Sequence, residues 1–325
     1  MSLGKRLIET AGQPPIENFN IVTYTGTGSA RSITGVGFKP DLLWIKRRSS
    51  SASHSLTDSN RGNNLVLQAN EASAEASGQI TLDSDGFTIG NDNALRNTNG
   101  ETYVAYCWKA NGGSTSSNND GDLTSTVQAN TNLGFSIATV TNNTGSTDAF
   151  GHGLGTTPEW IIRKKRNASL DWTNYFTVLD GSLDYMNFNT TTGKDNSGYS
   201  LPDSTTFVAP TGGDWVFYNF VSISGKTKIG TYTGTGNAGQ AITTGFKPDF
   251  IMIKSTVGNA NWRLYDTVRG INNGFFRVQA NNGEDNANAP NFSVTSTGFT
   301  INSDGVYQGL NANGNAYFYW AIKIH

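Results

Sequence analysis

The sequence predicts an all-β chain made of three tandem, diverged β-sandwich-like units, jelly-roll or lectin-like, of about 100 residues each behind a short N-terminal arm. Two observations carry this. First, the composition is rich in turn formers and poor in charge, with 38 Gly in 325 residues and 15% Asp, Glu, Lys and Arg. Gly and Asn tolerate positive φ, and Thr and aromatics fit a pleated surface, so the mixture favours short strands over long helices. Second, the chain matches itself at long range.

The match runs through several motifs. Tyr24-Thr25-Gly26-Thr27-Gly28 recurs as Tyr232-Thr233-Gly234-Thr235-Gly236, and Gly37-Phe38-Lys39-Pro40-Asp41 as Gly245-Phe246-Lys247-Pro248-Asp249. Asp58 with Arg61-Gly62 returns as Asp266 with Arg269-Gly270, and Gly86-Phe87-Thr88-Ile89 as Gly298-Phe299-Thr300-Ile301. The middle of the chain holds a weaker copy, opened by Phe135 to Val140, continued by Thr157-Pro158-Glu159-Trp160-Ile161-Ile162-Arg163-Lys164 and closed by Trp215 to Phe220. It lacks Asp-x-x-Arg-Gly, with Asp180-Gly181 as the nearest remnant.

The elements follow in order. Residues 1–16 form an arm that ends in Pro14-Pro15, which stiffens its exit. Residues 17–110 are the first unit; Phe19 to Thr25 alternates as a half-buried strand does, and Asp41 to Lys46 is a continuous apolar run entered through Pro40. Residues 111–132 are rich in Gly, Ser and Asn and predict a flexible linker. Residues 133–223 are the diverged second unit and 224–325 the third, with only Ser224-Gly225-Lys226 between them.

Composition also excludes partners. A net charge of -2 gives no electrostatic reason to bind nucleic acid. The single cysteine, Cys107, excludes an intramolecular disulfide framework and a multi-cysteine zinc site, and its apolar neighbours place it in a buried strand. No stretch reaches the roughly 20 apolar residues of a membrane span, and the N-terminus lacks the apolar core of a secretory signal. Synthesis in a cytoplasm without membrane insertion is the expectation.

No catalytic site can be assembled. The histidines are His54, His152 and His325, and none stands at metal-ligand spacing. Asp58 with Arg61, and Asp266 with Arg269, read as structural turn pairs in which a carboxylate caps amides and meets a guanidinium. Asn118 to Asp122 and Asn281 to Asn286 gather oxygen ligands that Ca2+ accepts, yet they lack EF-hand spacing and read first as solvated turns, so no cofactor or metal is expected. Trp172 with Tyr175, and Trp262 with Tyr265, follow polar loops and form a candidate ligand site, because an aromatic beside Asn and Asp is sugar-stacking chemistry. Each is also followed by residues that continue a strand, which is the signature of core packing.

Taken as a set, Gly4-Lys5-Arg6-Leu7-Ile8, Tyr-Thr-Gly-x-Gly, Gly-Phe-Lys-Pro-Asp-Leu-Leu-Trp-Ile-Lys, Asp-x-x-Arg-Gly, Asp-Gly-Phe-Thr-Ile-Gly and Tyr-Val-Ala-Tyr-Cys-Trp-Lys resemble a repeated β-domain of tail-fibre-like and other structural proteins of marine bacteriophages. The resemblance implies a non-enzymatic virion protein exposed on the particle. It implies an arm that docks through Lys5, Arg6, Leu7 and Ile8 to other virion proteins, loops that meet a host-surface glycan or protein, and possible homotrimer assembly. A capsid decoration protein and a polysaccharide-degrading tail spike are the alternatives.

Overall fold

In the computed structural model of the chain, the described residues are 17–91, 95–272, 274–285, 292–303 and 309–324. They form no helix, and none is therefore long and apolar enough to cross a membrane. All strand pairing within the sheets is antiparallel.

Three large sheets organise the molecule, each faced by a small one, and each such pair is termed a lobe. In lobe 1 the large sheet runs in the order Phe19–Thr25, Thr102–Trp108, Leu42–Arg47, Ser55–Asp58, Leu65–Gln68 and Ala76–Ser77, and the small sheet is Arg31–Thr34, Gly86–Ile89 and Ile80–Asp83. Lobe 3 repeats the plan with Thr227–Thr233, Ala316–Ile322, Phe250–Ser255, Arg263–Asp266 and Phe276–Arg277, faced by Gln240–Thr243, Gly298–Ile301 and Phe292–Thr295. In lobe 2 the order is Ser116–Asn118, Ser125–Asn130, Phe135–Asn142, Gly213–Phe220, Trp160–Lys165, Thr173–Phe176, Asp184–Asn187 and Asp195–Asn196. Its small sheet has two strands, Asp148–Gly151 and Thr206–Ala209.

The expected linker over 111–132 is therefore corrected, since Ser116–Asn118 and Ser125–Asn130 extend the sheet of lobe 2. Its entrance is fixed by the Pro-Asp motif. The Asp41 carboxylate accepts the backbone N–H groups of Ala110, Asn111, Gly112 and Gly113 at 2.6–2.7 Å. Backbone so well satisfied has little reason to move.

The repeated Gly-Phe-Thr-Ile has a steric cause. A Cβ at Gly86 would lie 2.0 Å from the carbonyl oxygen of Ile33, and one at Gly298 would lie 2.0 Å from that of Ile242. Only glycine lets the small-sheet strands approach so closely at the hairpin.

Alternation along the strands sends side chains to two separate cores. From Leu42–Arg47, Leu43 and Ile45 face the lobe's own core, whereas Leu42 and Trp44 enter a central core shared by all three lobes. Thr102–Trp108 divides likewise, with Tyr103, Ala105 and Cys107 outward and Val104, Tyr106 and Trp108 inward. At the centre, Trp108 stacks on Trp320 at 5.8 Å between centroids, and Trp320 meets Trp160 edge-on at 4.9 Å. The lobes are thus joined by one continuous apolar core and not strung as separate beads.

Polar contacts repeat at each of the three seams. Lys46 Nζ donates to Ala52 O in its own lobe and to Asn281 O of lobe 3, Lys164 Nζ to Leu170 O and to Ala72 O of lobe 1, and Lys254 Nζ to Thr191 O of lobe 2. Backbone N–H groups of Glu284, Glu75 and Lys194 donate to the carbonyls of Arg48, Arg166 and Thr256 at 2.7, 2.7 and 2.8 Å. Lobe 1 docks on lobe 3, lobe 2 on lobe 1, and lobe 3 on lobe 2. Head-to-tail contacts of this kind close into a ring when the rotation permits, and here the ring closes within one chain.

Candidate binding cleft in the middle lobe

The two Asp-x-x-Arg-Gly elements are seam devices. Asp58 is wholly buried; it accepts the Arg61 backbone N–H at 2.8 Å, the Arg61 guanidinium, and the Tyr218 hydroxyl of lobe 2 at 2.6 Å. Asp266 does the same with the Arg269 N–H at 2.8 Å, the Arg269 Nε at 2.5 Å and the Tyr106 hydroxyl of lobe 1 at 2.9 Å. Glu75 then joins Arg61 to Arg166 across one seam, and Glu284 joins Arg269 to Arg48 across the next. These carboxylates and guanidiniums neutralise one another inside the protein and reach no cleft.

The third seam has none of this. Strand register places Phe176 where Asp58 and Asp266 stand, because Trp160 pairs with Phe176 as Leu42 does with Asp58 and Phe250 with Asp266. The remnant Asp180 is accordingly corrected: it lies on the surface and pairs with Lys194 at 2.5 Å. The same logic puts Trp320 at the position of Tyr106 and Tyr218. Carboxylate and hydroxyl are replaced together by two apolar rings. A cleft of about 610 Å³ remains at this seam, lined by Gly193, Gly258, Gly314 and Ala316 together with Lys194, Asp195 and two threonines, and with no aromatic ring.

The aromatic candidates fare differently from one another. Trp172 and Trp262 are fully buried, their indole N–H groups donating across seams to Gln68 O at 2.8 Å and Asn187 O at 2.9 Å. His54 occupies the matching position in lobe 1, with Nε2 3.1 Å from Arg277 O. Tyr265 is buried against Phe275 and Phe292. The core-packing reading of Trp172 and Trp262 is thus the one the structure bears out, and with Tyr265 they leave no ring surface for a ligand to stack on. Tyr175 is buried too, yet its edge lines a surface cleft of about 340 Å³ in lobe 2.

That cleft exists because lobe 2 has no third strand in its small sheet. In lobe 1 the third strand, Ile80–Asp83, is clamped by Asn64, whose Oδ1 accepts the Ile80 N–H at 3.0 Å. In lobe 3 Asn272 holds Phe292 by the same acceptor at 2.6 Å and donates to its carbonyl at 2.9 Å. By strand register Leu183 stands at the place of Asn64 and Ser182 at that of Asn272, so neither clamp has a counterpart in lobe 2, and the chain past Ser197 takes no strand conformation until Thr206. The face so uncovered is polar. Arg163 replaces Ile45 and Ile253, and Tyr185 replaces Val66 and Phe275.

Within the cleft, Arg163 donates from Nη2 to Thr173 Oγ1 at 2.9 Å and lies over the rings of Tyr175 and Trp215 at 5.2 and 5.1 Å. Asp171 accepts from Asn187 at 3.3 Å and from Asn189 at 2.7 Å. Tyr199 leans on Tyr175 at 6.1 Å, more loosely than Phe292 on Tyr265 at 4.7 Å. Two buried polar atoms facing this region, Arg163 Nε and Asn187 Oδ1, have no hydrogen-bond partner. Burial pushes the Tyr175 hydroxyl above the usual phenol range, so it stays a neutral donor. The sequence signal for this site was Arg163 and Tyr185 standing at core positions of the middle copy.

Other expectations are placed as follows. Among the described residues no group of His, Cys, Asp and Glu could hold a metal ion. Of the two loops suggested for Ca2+, the second commits Glu284 to Arg48 and Arg269 and Asp285 to Arg277, and its last residue, Asn286, lies outside the described residues. Lys5, Arg6, Leu7 and Ile8 also lie outside them. Searches of curated proteins and of solved structures find no match. A family profile described as "Domain of unknown function (DUF7483)" matches residues 14–324, spanning all three lobes, and the chain belongs to that family.

Proposed function

We propose that this chain is a non-enzymatic structural protein of a bacteriophage virion, carried on the particle by its N-terminal arm and meeting the host surface with its lobes. The observation that carries the reading is a rigid three-lobed body in which one lobe has exchanged core packing for a polar, aromatic-lined cleft. Rigidity follows from the shared core and buried seam pairs, and it suits a scaffold that presents a binding surface. The cleft favours binding over hydrolysis: glycoside cleavage uses two facing carboxylates, and the lining supplies one, Asp171.

A second reading, capsid decoration, is favoured by the internal pseudo-threefold ring, because a body with three similar faces fits a threefold seat on a shell. Immunogold labelling of particles separates the two, since tail-tip label supports the appendage and label over the head supports decoration. Absence of label from purified virions overturns both. Deletion of residues 1–16 is expected to leave the lobes folded and to abolish incorporation into particles. New reducing ends released from host polysaccharide would instead establish an enzyme.

A further inference from the structure

We infer that the lobe 2 cleft is a binding subsite for an uncharged sugar ring, recognised by ring stacking on Tyr185 and Tyr199 and by hydrogen bonds to the Asp171–Asn187 pair. The inference sharpens the host-contact reading by naming the ligand class, and it rests on that reading only for the source of the sugar.

Four observations converge. The cleft's volume, about 340 Å³, falls at the small end of ligand pockets, which run from about 300 to 1,000 Å³. Its lining pairs half-buried tyrosine rings with amide, carboxylate and hydroxyl groups, giving an apolar face for the C–H side of a pyranose and both donors and acceptors for its hydroxyls. Its formal charges balance, with one cation, Arg163, lying over two rings, and one anion, Asp171, held by two amides. Finally, Arg163 Nε and Asn187 Oδ1 are buried without partners. Unpartnered buried atoms also occur at Arg263, Tyr265 and Arg277 of lobe 3, so this pair adds polarity behind the cleft and does not by itself mark a ligand.

The comparison between lobes gives the argument its control. Lobes 1 and 3 use the same sheet positions for Ile45, Val66, Ile253 and Phe275, all buried beneath a third small-sheet strand. At these two positions polar residues appear only in lobe 2, although lobe 3 carries buried Arg263 and half-buried Arg277 elsewhere on the same face.

Titration calorimetry of the full chain with maltose, lactose, cellobiose and mannobiose, with glucuronic acid as an anionic comparison, tests this. At least one neutral disaccharide is expected to bind. Tyr185→Ala and Tyr199→Ala should each weaken it by roughly tenfold or more, the usual size of losing an aromatic anchor. Tyr185→Val, which restores the lobe 1 residue, should weaken binding to the same extent while leaving the denaturation midpoint unchanged, so that loss of fold is not mistaken for loss of site. Failure of every neutral sugar, binding of glucuronate alone, or binding untouched by these substitutions would overturn the inference. The result is independent of where antibody labels the virion.

Discussion

The Tyr218 hydroxyl of lobe 2 donates to the Asp58 carboxylate of lobe 1 at 2.6 Å, tying together residues 160 positions apart in the sequence. The Tyr106 and Asp266 pair repeats the bond at 2.9 Å with the same separation of 160. These two bonds explain why Asp-x-x-Arg-Gly occurs twice and not three times. The motif is kept where a tyrosine faces it and lost where Trp320 does.

Tyr218→Phe removes one donor from a carboxylate that keeps its arginine, and should cost about 1.5–3 kcal/mol. Asp58→Ala leaves Arg61 with Glu75 as its one carboxylate and leaves the Tyr218 hydroxyl unpaired, and should cost more, about 3–5 kcal/mol. Urea denaturation measures both. Equal, small effects would show that the buried pair contributes little.

The third seam can be rewritten. Phe176→Asp alone buries an unpaired charge and should destabilise by several kcal/mol. Adding Trp320→Tyr and Leu179→Arg, which supplies the partners found at the other seams, is expected to recover part of the loss in the same denaturation series. No recovery would mean that the seams are not equivalent.

Burial holds three seam lysines below the ordinary ammonium range. Lys46 falls to about 7, helped by Arg47; Lys164 falls to about 8 despite Asp171; Lys254 falls to about 8, helped by Arg263. An unfolded lysine titrates near about 10.4. Between these values the unfolded chain binds more protons than the folded one, so stability should rise with pH from about 8 to about 9.5. Below about pH 7 both states are protonated and the lysines add no slope. Above about pH 10 the buried tyrosines reverse the trend, because burial raises Tyr24, Tyr106 and Tyr218 and the unfolded chain loses those protons first. Denaturation at a series of pH values should show the rise, and Lys46→Met should flatten it. A wild-type curve that is level or descending between pH 8 and 9.5 contradicts the assignment.

The 111–132 segment should behave as structure. Amides of residues 110–113 are expected to exchange slowly with deuterium in the wild type and much faster in Asp41→Asn, which exchanges a carboxylate acceptor for a neutral one. Rapid exchange in both would restore the flexible linker.

The all-β class was legible because its causes are local: Gly86 and Gly298 sit where a Cβ cannot, and apolar runs such as Leu42 to Ile45 feed two cores at once. The seams were harder to read. Trp44, Trp108 and Trp320 look like ordinary core residues in sequence, and only coordinates show that their core belongs to three lobes. Nothing in the sequence marks Lys46 and Lys164 as seam residues, yet each is buried between two carbonyls. Trp172 and Trp262 pack in the core as their strand continuation suggested, but that their indoles bridge two seams was not legible. The cleft left the faintest trace, since a missing strand has no residues of its own. Only the substitution of Arg163 and Tyr185 for aliphatic or aromatic core residues betrays it.

A ring assembled from three identical chains must express every substitution three times. Here the three sectors are covalently one, so each position can change singly. Lobe 2 could shed a strand and gain a polar face while its neighbours kept the packing that supports it. Joining the sectors into a single polypeptide therefore lets one sector diverge while the other two preserve the frame.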